Sequence, residues 1–143
     1  MAFIPITLTI AAGCTLIGLW LQIRVGQVRR SARISIGDGG SEPLIRRMRA
    51  QANYVENAPF VLALILAIEL SRGPSVWLWA AGGVFLLARV AHGFGMDGMR
   101  YARSFGTAAT MAVLLGLAVW AAVIARDGRV AGGPTTTASP ARA

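Results

Sequence analysis

Apolar stretches about as long as a bilayer is thick alternate along this chain with short polar segments. Residues 1–23 and 104–125 contain no charged side chain. About 20 apolar residues are enough to cross the hydrocarbon core of a membrane as a helix. The pattern therefore predicts four membrane-spanning helices. Their expected ranges are 2–23, 43–71, 76–96 and 104–125.

Turn-forming residues mark the predicted connections. The Gly-Asp-Gly-Gly sequence at 37–40 indicates a loop, and Ser41 followed by Pro43 is typical of a helix start. The Arg-Gly-Pro-Ser sequence at 72–75 predicts a tight turn. Short connections favour an all-α, up-down-up-down four-helix bundle over residues 1–126. Residues 127–143 are rich in Gly, Pro, Thr and Ala and are expected to form a disordered tail.

Composition supports an integral membrane protein and excludes two other classes. Hydrophobic residues make up 55 % of the 143 residues, and charged residues make up 14 %. A soluble domain usually carries about 25 % charged residues, so a soluble globular enzyme is excluded. A disulfide-stapled secreted domain is also excluded, because the single Cys14 has no partner within the chain.

The distribution of basic residues predicts the orientation in the membrane. All 14 basic residues are Arg, and they flank the apolar stretches instead of forming a separate nucleic-acid-binding module. Seven lie in the polar stretch at residues 24–49 and two lie between the last two predicted helices, whereas the middle connection has only Arg72. By the positive-inside rule, the first and third connections are cytoplasmic and both termini lie on the opposite side. The exclusive use of Arg is typical of a GC-rich bacterial genome, so we expect a bacterial inner membrane.

Four ionisable residues stand out at membrane depth in the predicted helices: Glu56 and Glu69 in the second, and Arg89 and His92 in the third. Such residues are costly at membrane depth and indicate function by default. A structural interpretation competes with that view. Glu69 is expected to pair with Arg72 three residues later, and Glu56 could neutralise an Arg within the bundle. No Cys or second His accompanies His92, so a metal site is not expected.

The spacing of the polar residues predicts that they converge at one end of the bundle. Arg49, Asn53 and Glu56 are four and three residues apart and therefore share a helix face. Guanidinium groups suit carboxylates, and a single carboxylate suits an ammonium group. The chemistry fits a small zwitterionic or dianionic peptide, with an apolar co-substrate that arrives from the bilayer. Residues at the same depth on the other helices are Arg29, Arg89, His92, Arg103 and Ser104.

The second predicted helix carries a recognisable signature. Residues 49–59, Arg-Ala-Gln-Ala-Asn-Tyr-Val-Glu-Asn-Ala-Pro, resemble the Arg-Ala-Gln-x-Asn-x-x-Glu-x-x-Pro motif of the MAPEG family, the membrane-associated proteins in eicosanoid and glutathione metabolism. Gly-Gln-Val-Arg at 26–29 and Arg-Val-Ala-His at 89–92 also resemble that family. The resemblance covers about residues 5–125.

The resemblance implies a homotrimer that binds glutathione as a co-substrate between neighbouring protomers, near the cytoplasmic face. The other implied partners are membrane lipids and a lipophilic small-molecule substrate. It further implies a glutathione-dependent transferase or peroxidase in which Arg103, with Ser104 beside it, stabilises the glutathione thiolate. The implied glutathione-binding residues are Arg29 and Arg49 for the carboxylates, Asn53 and Glu56 for the backbone and the γ-glutamyl amine, and Arg89 and His92 as lining residues.

Two departures from the family pattern keep other functions open. Family enzymes often have Tyr at the positions of Asn57 and Met96. A non-catalytic lipid-binding or scaffold protein of the same fold is therefore an alternative. A small channel or transporter subunit is another, although the chain lacks the broken helix pairs of many transporters.

Overall fold

A computed structural model describes residues 3–131 of the chain as four helices. Each of the four described helices is long and apolar enough to cross a membrane, which confirms the predicted number of spans. Helix α4 continues through residues 127–131, and the rest of the predicted tail, residues 132–143, lies outside the described residues. The helices are α1 (Pro5–Ala32), α2 (Glu42–Arg72), α3 (Val76–Gly95) and α4 (Arg100–Ala131).

Two helices extend further than the apolar pattern predicts. Helix α1 continues beyond Ile23 to Ala32, and α4 begins at Arg100. Hydropathy marks only the part of a helix that lies in hydrocarbon, whereas the backbone hydrogen bonds continue into the head-group region. The first connection is therefore short. It contains Gly37 among its positive-φ glycines, as the turn signal predicts.

Contacts at the two ends of the bundle establish an up-down-up-down arrangement. At one end, Arg24 near the end of α1 pairs with Asp97 just after α3, and Arg47 near the start of α2 lies 3.5 Å from the same carboxylate. We call this the Arg-rich end. At the opposite end, Arg72 at the end of α2 lies 3.3 Å from Asp127 in α4.

An apolar stripe on α1 forms much of the core. The stripe packs against buried residues of α2 and α3 such as Ile65 and Phe85. The other face of α1 exposes large apolar side chains, for example Leu16 and Leu19, as expected of a surface that faces lipid. The stripe consists of Ile6, Ile10, Cys14, Ile17 and Leu21.

Glu69 caps another helix, so its predicted pairing with Arg72 is wrong. Its carboxylate accepts hydrogen bonds from the backbone N–H groups of Ile6 (2.9 Å) and Thr7 (2.8 Å), and from the Thr7 hydroxyl (2.6 Å). The first N–H groups of a helix have no acceptor within the helix, and Ile4 at the N-cap supplies none from its side chain. A carboxylate also interacts favourably with the positive end of the helix dipole.

Helices α3 and α4 approach each other closely at the Arg-rich end. A Cβ atom placed on Gly106 would lie 2.6 Å from the carbonyl oxygen of Ala88 and 2.8 Å from the backbone nitrogen of His92. Only a residue without a side chain fits there. This close approach brings Arg89 and His92 of α3 against the first turns of α4.

Candidate functional site

A small polar pocket opens at the Arg-rich end between α2 and α3, with a volume of about 250 Å³. Three of its residues come from the α2 face that the sequence predicts, and His92 comes from α3. The three polar residues of the signature, Arg49, Asn53 and Glu56, thus lie on the same wall of the pocket. The pocket is lined by Arg49, Ala52, Asn53, Glu56, His92 and Met96.

The two charged residues of this polar pocket have no partner within the described part of the chain. The side chains of Arg49 and Glu56 are exposed, and neither makes a hydrogen bond or an ion pair with residues 3–128. The ion pair that a structural role for Glu56 predicts is therefore not formed with Arg49 or Arg89 in these residues. Both groups are free to contact a ligand.

Arg89 lies behind the polar pocket and is 2 % exposed. Its guanidinium donates hydrogen bonds to Asn53 Oδ1 (2.6 Å), to the Gly106 carbonyl (2.9 Å) and to Thr110 Oγ1 (2.5 Å). These three contacts join α2, α3 and α4. Arg89, which the sequence predicts to line the pocket, is not among its lining residues. It contacts Asn53, which is.

His92 is buried at the same junction and forms part of the pocket wall. Its Nδ1 lies 3.3 Å from the hydroxyl of Thr107 in α4, and that hydroxyl donates to the Arg103 carbonyl at 3.0 Å. Through Thr107, the His92 ring is thus connected to the backbone of Arg103, one of the two predicted catalytic residues.

The two predicted catalytic residues are near the polar pocket but do not line it. Arg103 is exposed and lines a neighbouring cavity of about 450 Å³, which shares Met96 with the polar pocket. Ser104 faces a different cavity, together with Arg100 and Tyr101. Adjacent residues on a helix point about 100° apart, and here Arg103 and Ser104 line different cavities.

Arg29 is engaged elsewhere in the chain. Its guanidinium donates to the Gly37 carbonyl at 2.8 Å and to Met48 Sδ at 3.4 Å. It tethers the first connection to the start of α2 and does not line the polar pocket of its own chain.

Comparison with known families agrees with this architecture. The model of the MAPEG family matches residues 7–123, which include parts of all four helices. The chain belongs to the MAPEG family. Comparison with curated individual proteins gives no match. The family includes glutathione transferases and peroxidases as well as non-catalytic members.

One polar cluster of this MAPEG protein escaped the sequence reasoning. Arg24 is 8 % exposed, donates to the Gly93 carbonyl at 3.0 Å, pairs with Asp97, and lies 4.6 Å from the centre of the Trp20 ring. Arg47 donates to the backbone carbonyl of Arg24 at 3.0 Å. The ratio of charges could have revealed this cluster. The chain has only six acidic residues for 14 Arg, so an acidic residue such as Asp97 beside several Arg is expected to be paired.

The MAPEG protein also has an open apolar groove between α3 and α4, away from the polar pocket. Its volume is about 550 Å³, and none of its lining residues is charged. The groove can hold hydrocarbon, but it offers no group for acid, base or nucleophilic chemistry. Its principal lining residues are Trp77, Ala81, Val84, Ala112, Gly116 and Trp120.

Proposed function

We propose that this MAPEG protein is a glutathione-dependent membrane transferase or peroxidase that acts on lipophilic electrophiles or hydroperoxides. The observation that carries the proposal is the polar pocket itself. Arg49, Asn53, Glu56 and His92 converge within a bundle whose helices can span a membrane. A small polar pocket beside lipid suits a reaction between a polar thiol and an apolar co-substrate.

The charges of the site match those of glutathione. Its tripeptide carries two carboxylates and one ammonium group. Arg49 would bind a carboxylate through its planar fork, and Glu56 would bind the ammonium group. Arg89 behind the wall and Arg103 in the neighbouring cavity make the surroundings positive overall. That excess favours a ligand with net negative charge.

The proposed chemistry proceeds through the glutathione thiolate. Arg103, with Ser104 beside it in sequence, would stabilise the sulfur anion, because a cation favours the thiolate over the thiol. With an electrophile, the sulfur forms a bond to carbon and the leaving group departs with the bonding electrons. With a hydroperoxide, the thiolate sulfur bonds to the terminal oxygen and becomes a sulfenic acid, while the O–O bond breaks and the departing alkoxide takes up a proton to form the alcohol. A second glutathione then reduces the sulfenic acid, giving the disulfide and water.

We further propose that the working form is a homotrimer with sites between protomers. Glu56 lies 14 residues beyond Glu42, the first residue of α2, or about 21 Å along the helix. A carboxylate exposed at that depth would otherwise face lipid. Arg29, which lies outside the polar pocket of its own chain, could reach a neighbour's pocket. Native mass spectrometry in detergent should show three copies, and a monomer would contradict this assembly.

Calorimetric titration with glutathione in detergent tests the proposal most directly. We expect the wild type to bind. Arg49→Ala and Glu56→Gln should each weaken binding about tenfold or more, because each removes a charge-assisted hydrogen bond. The matched control is Arg72→Ala, which removes an exposed Arg at the opposite end and should leave affinity unchanged. Absence of wild-type binding, and of turnover with several electrophiles and hydroperoxides, would refute the proposal.

The role of Arg103 has its own spectroscopic test. Bound glutathione should show the ultraviolet absorbance of a thiolate, and Arg103→Ala should suppress that absorbance while some binding is retained. A normal thiolate signal in this variant would exclude the assigned role.

Three observations favour a second candidate, a non-catalytic lipid-binding or scaffold protein. Asn57 is buried and donates to the backbone carbonyl of Asn53 at 2.6 Å, and unlike Tyr it has no hydroxyl group to offer the pocket. Met96 occupies the other position at which family enzymes often have Tyr. The apolar groove is also larger than the polar pocket. A co-purified lipid identified by mass spectrometry, without any glutathione affinity, would favour this second function.

A further inference from the structure

Arg89 is a buried cation without an acidic partner in the described part of the chain. Its three hydrogen bonds all go to uncharged oxygen atoms of Asn53, Gly106 and Thr110. Its Nε is buried and has no acceptor among the described residues. An unpaired charge at membrane depth is expensive. A purely structural tie between helices could be made by uncharged groups at lower cost, so the retained charge requires an explanation.

The contact with Asn53 determines which end of that amide faces the polar pocket. A guanidinium group can only donate hydrogen bonds. The Asn53 atom that it contacts is therefore the carbonyl oxygen, Oδ1, at 2.6 Å. The amide nitrogen, Nδ2, makes no hydrogen bond to the described residues, although Asn53 lines the pocket. Asn53 thus has its acceptor occupied from behind and its two N–H donors available.

We infer that Arg89 is a positioning residue that presents Asn53 to the polar pocket as a hydrogen-bond donor. The subsite at Asn53 then takes an acceptor, such as a carboxylate or carbonyl oxygen, and disfavours an ammonium group, which can only donate. This inference rests on the proposed function for the identity of the ligand. It adds which polarity of ligand group the centre of the pocket selects, between the cation of Arg49 and the anion of Glu56.

Two variants distinguish this positioning role from a purely structural one, because Arg89 also contacts Gly106 and Thr110 on α4. Thr110→Val removes one acceptor from the guanidinium and leaves the contact with Asn53 in place. Arg89→Met removes the charge and every donor, with an unbranched side chain that still fills space. If Arg89 only joins helices, both variants should act on stability alone. If it positions Asn53, Arg89→Met should also weaken ligand binding, although Arg89 does not line the pocket.

The sharpest variant is Asn53→Asp, which keeps the contact with Arg89. A carboxylate oxygen still accepts from the guanidinium, but the other oxygen replaces the two N–H donors with an acceptor. Stability should therefore be equal to or higher than that of the wild type. Affinity for an anionic ligand should fall about 10- to 100-fold, since a donor to a charged group is lost. This combination distinguishes a change of polarity from a loss of structure.

The experiment uses the full chain in detergent, with glutathione titration for Kd and thermal unfolding for Tm. We expect Asn53→Asp to lose affinity at unchanged or higher Tm. Arg89→Met should lose at least tenfold in affinity, whereas Thr110→Val should lower Tm with Kd within about twofold of the wild type. If Arg89→Met does not fold, Asn53→Asp still decides the question.

Two results would overturn the inference while the proposed function stands. One is a wild type that binds glutathione together with an Asn53→Asp variant that binds equally well. The other is an Arg89→Met variant whose affinity matches that of Thr110→Val. A wild type that does not bind glutathione would instead refute the proposed function, and this inference with it.

Discussion

Individual buried polar residues of this protein satisfy backbone groups or other side chains that the membrane cannot hydrate. Glu69 is 3 % exposed and accepts from the first N–H groups of α1. Arg89 at the Arg-rich end donates to oxygen atoms on two neighbouring helices. Because burial of such groups is costly, each of them depends on its particular partners. A cap or a donor in this environment has no water to replace it.

Removal of the Glu69 carboxylate should destabilise the bundle. Glu69→Ala leaves the N–H groups of Ile6 and Thr7 without acceptors, and we expect a loss of about 1–3 kcal/mol of unfolding free energy. Denaturation in detergent followed by circular dichroism measures the loss. The control is Glu42→Ala, which breaks an exposed pair with Arg46 and should cost no more than about 0.5 kcal/mol. Equal losses in the two variants would contradict the capping role.

At the scale of elements, close contact between α3 and α4 shapes the site. Without it, His92 could not reach Thr107, and Arg89 could not reach the Gly106 carbonyl. Small residues let helix backbones approach in membranes, where packing, rather than exclusion of water, drives association. The glycine at position 106 is therefore as much a part of the site as the charged residues.

Substitution of Gly106 should separate the two helices. In Gly106→Ala the added methyl group would lie 2.6 Å from a backbone oxygen of α3, so neither a rotamer change nor a small shift relieves the clash. We expect a lower Tm and weaker glutathione binding.

Gly116→Ala provides the matched control for this substitution, on the same helix. A Cβ atom at Gly116 meets nothing within 4 Å, and Ala favours a helix by up to about 1 kcal/mol over Gly. We expect unchanged or higher Tm and unchanged glutathione affinity. If both variants behave alike, close packing at residue 106 is not what holds α3 against α4.

At the scale of the whole molecule, charge is separated between the two ends of the bundle. The first and third connections lie together at the Arg-rich end, where Arg24, Arg47 and Asp97 meet. The second connection lies at the end where Glu69 caps α1. We propose that the Arg-rich end, and with it the polar pocket, lies on the cytoplasmic side, as the positive-inside rule predicts. Glutathione would enter from that side.

Single-cysteine labelling in intact bacterial cells tests this orientation. In a chain with the buried Cys14 replaced by Ala, Ser71→Cys should react with a membrane-impermeant maleimide, because it is exposed next to the second connection. Ser35→Cys in the first connection should react only after the cells are permeabilised. The reverse pattern would place the polar pocket outside the cytoplasm.

The sequence by itself determined the number of helices, their order and the face of α2 that carries the site. Apolar length and helical spacing are local properties that tertiary contacts do not change. Arg49, Asn53 and Glu56 were predicted to share a wall, and they do. Helix ends were less predictable, because the backbone of α1 and α4 continues beyond the hydrocarbon layer that hydropathy detects.

Only the tertiary structure decided which partner each polar side chain contacts. Glu69 and Arg72 are three residues apart, yet Glu69 contacts α1 and Arg72 contacts α4. Arg89 and His92 share a helix face, yet one lies behind the pocket wall and the other forms part of it. Spacing along one helix specifies a direction, but the acceptors that satisfy a buried group come from neighbouring helices. The distances to these acceptors depend on how closely the helix backbones pack in the assembled bundle. Small residues such as Gly106 permit that close packing.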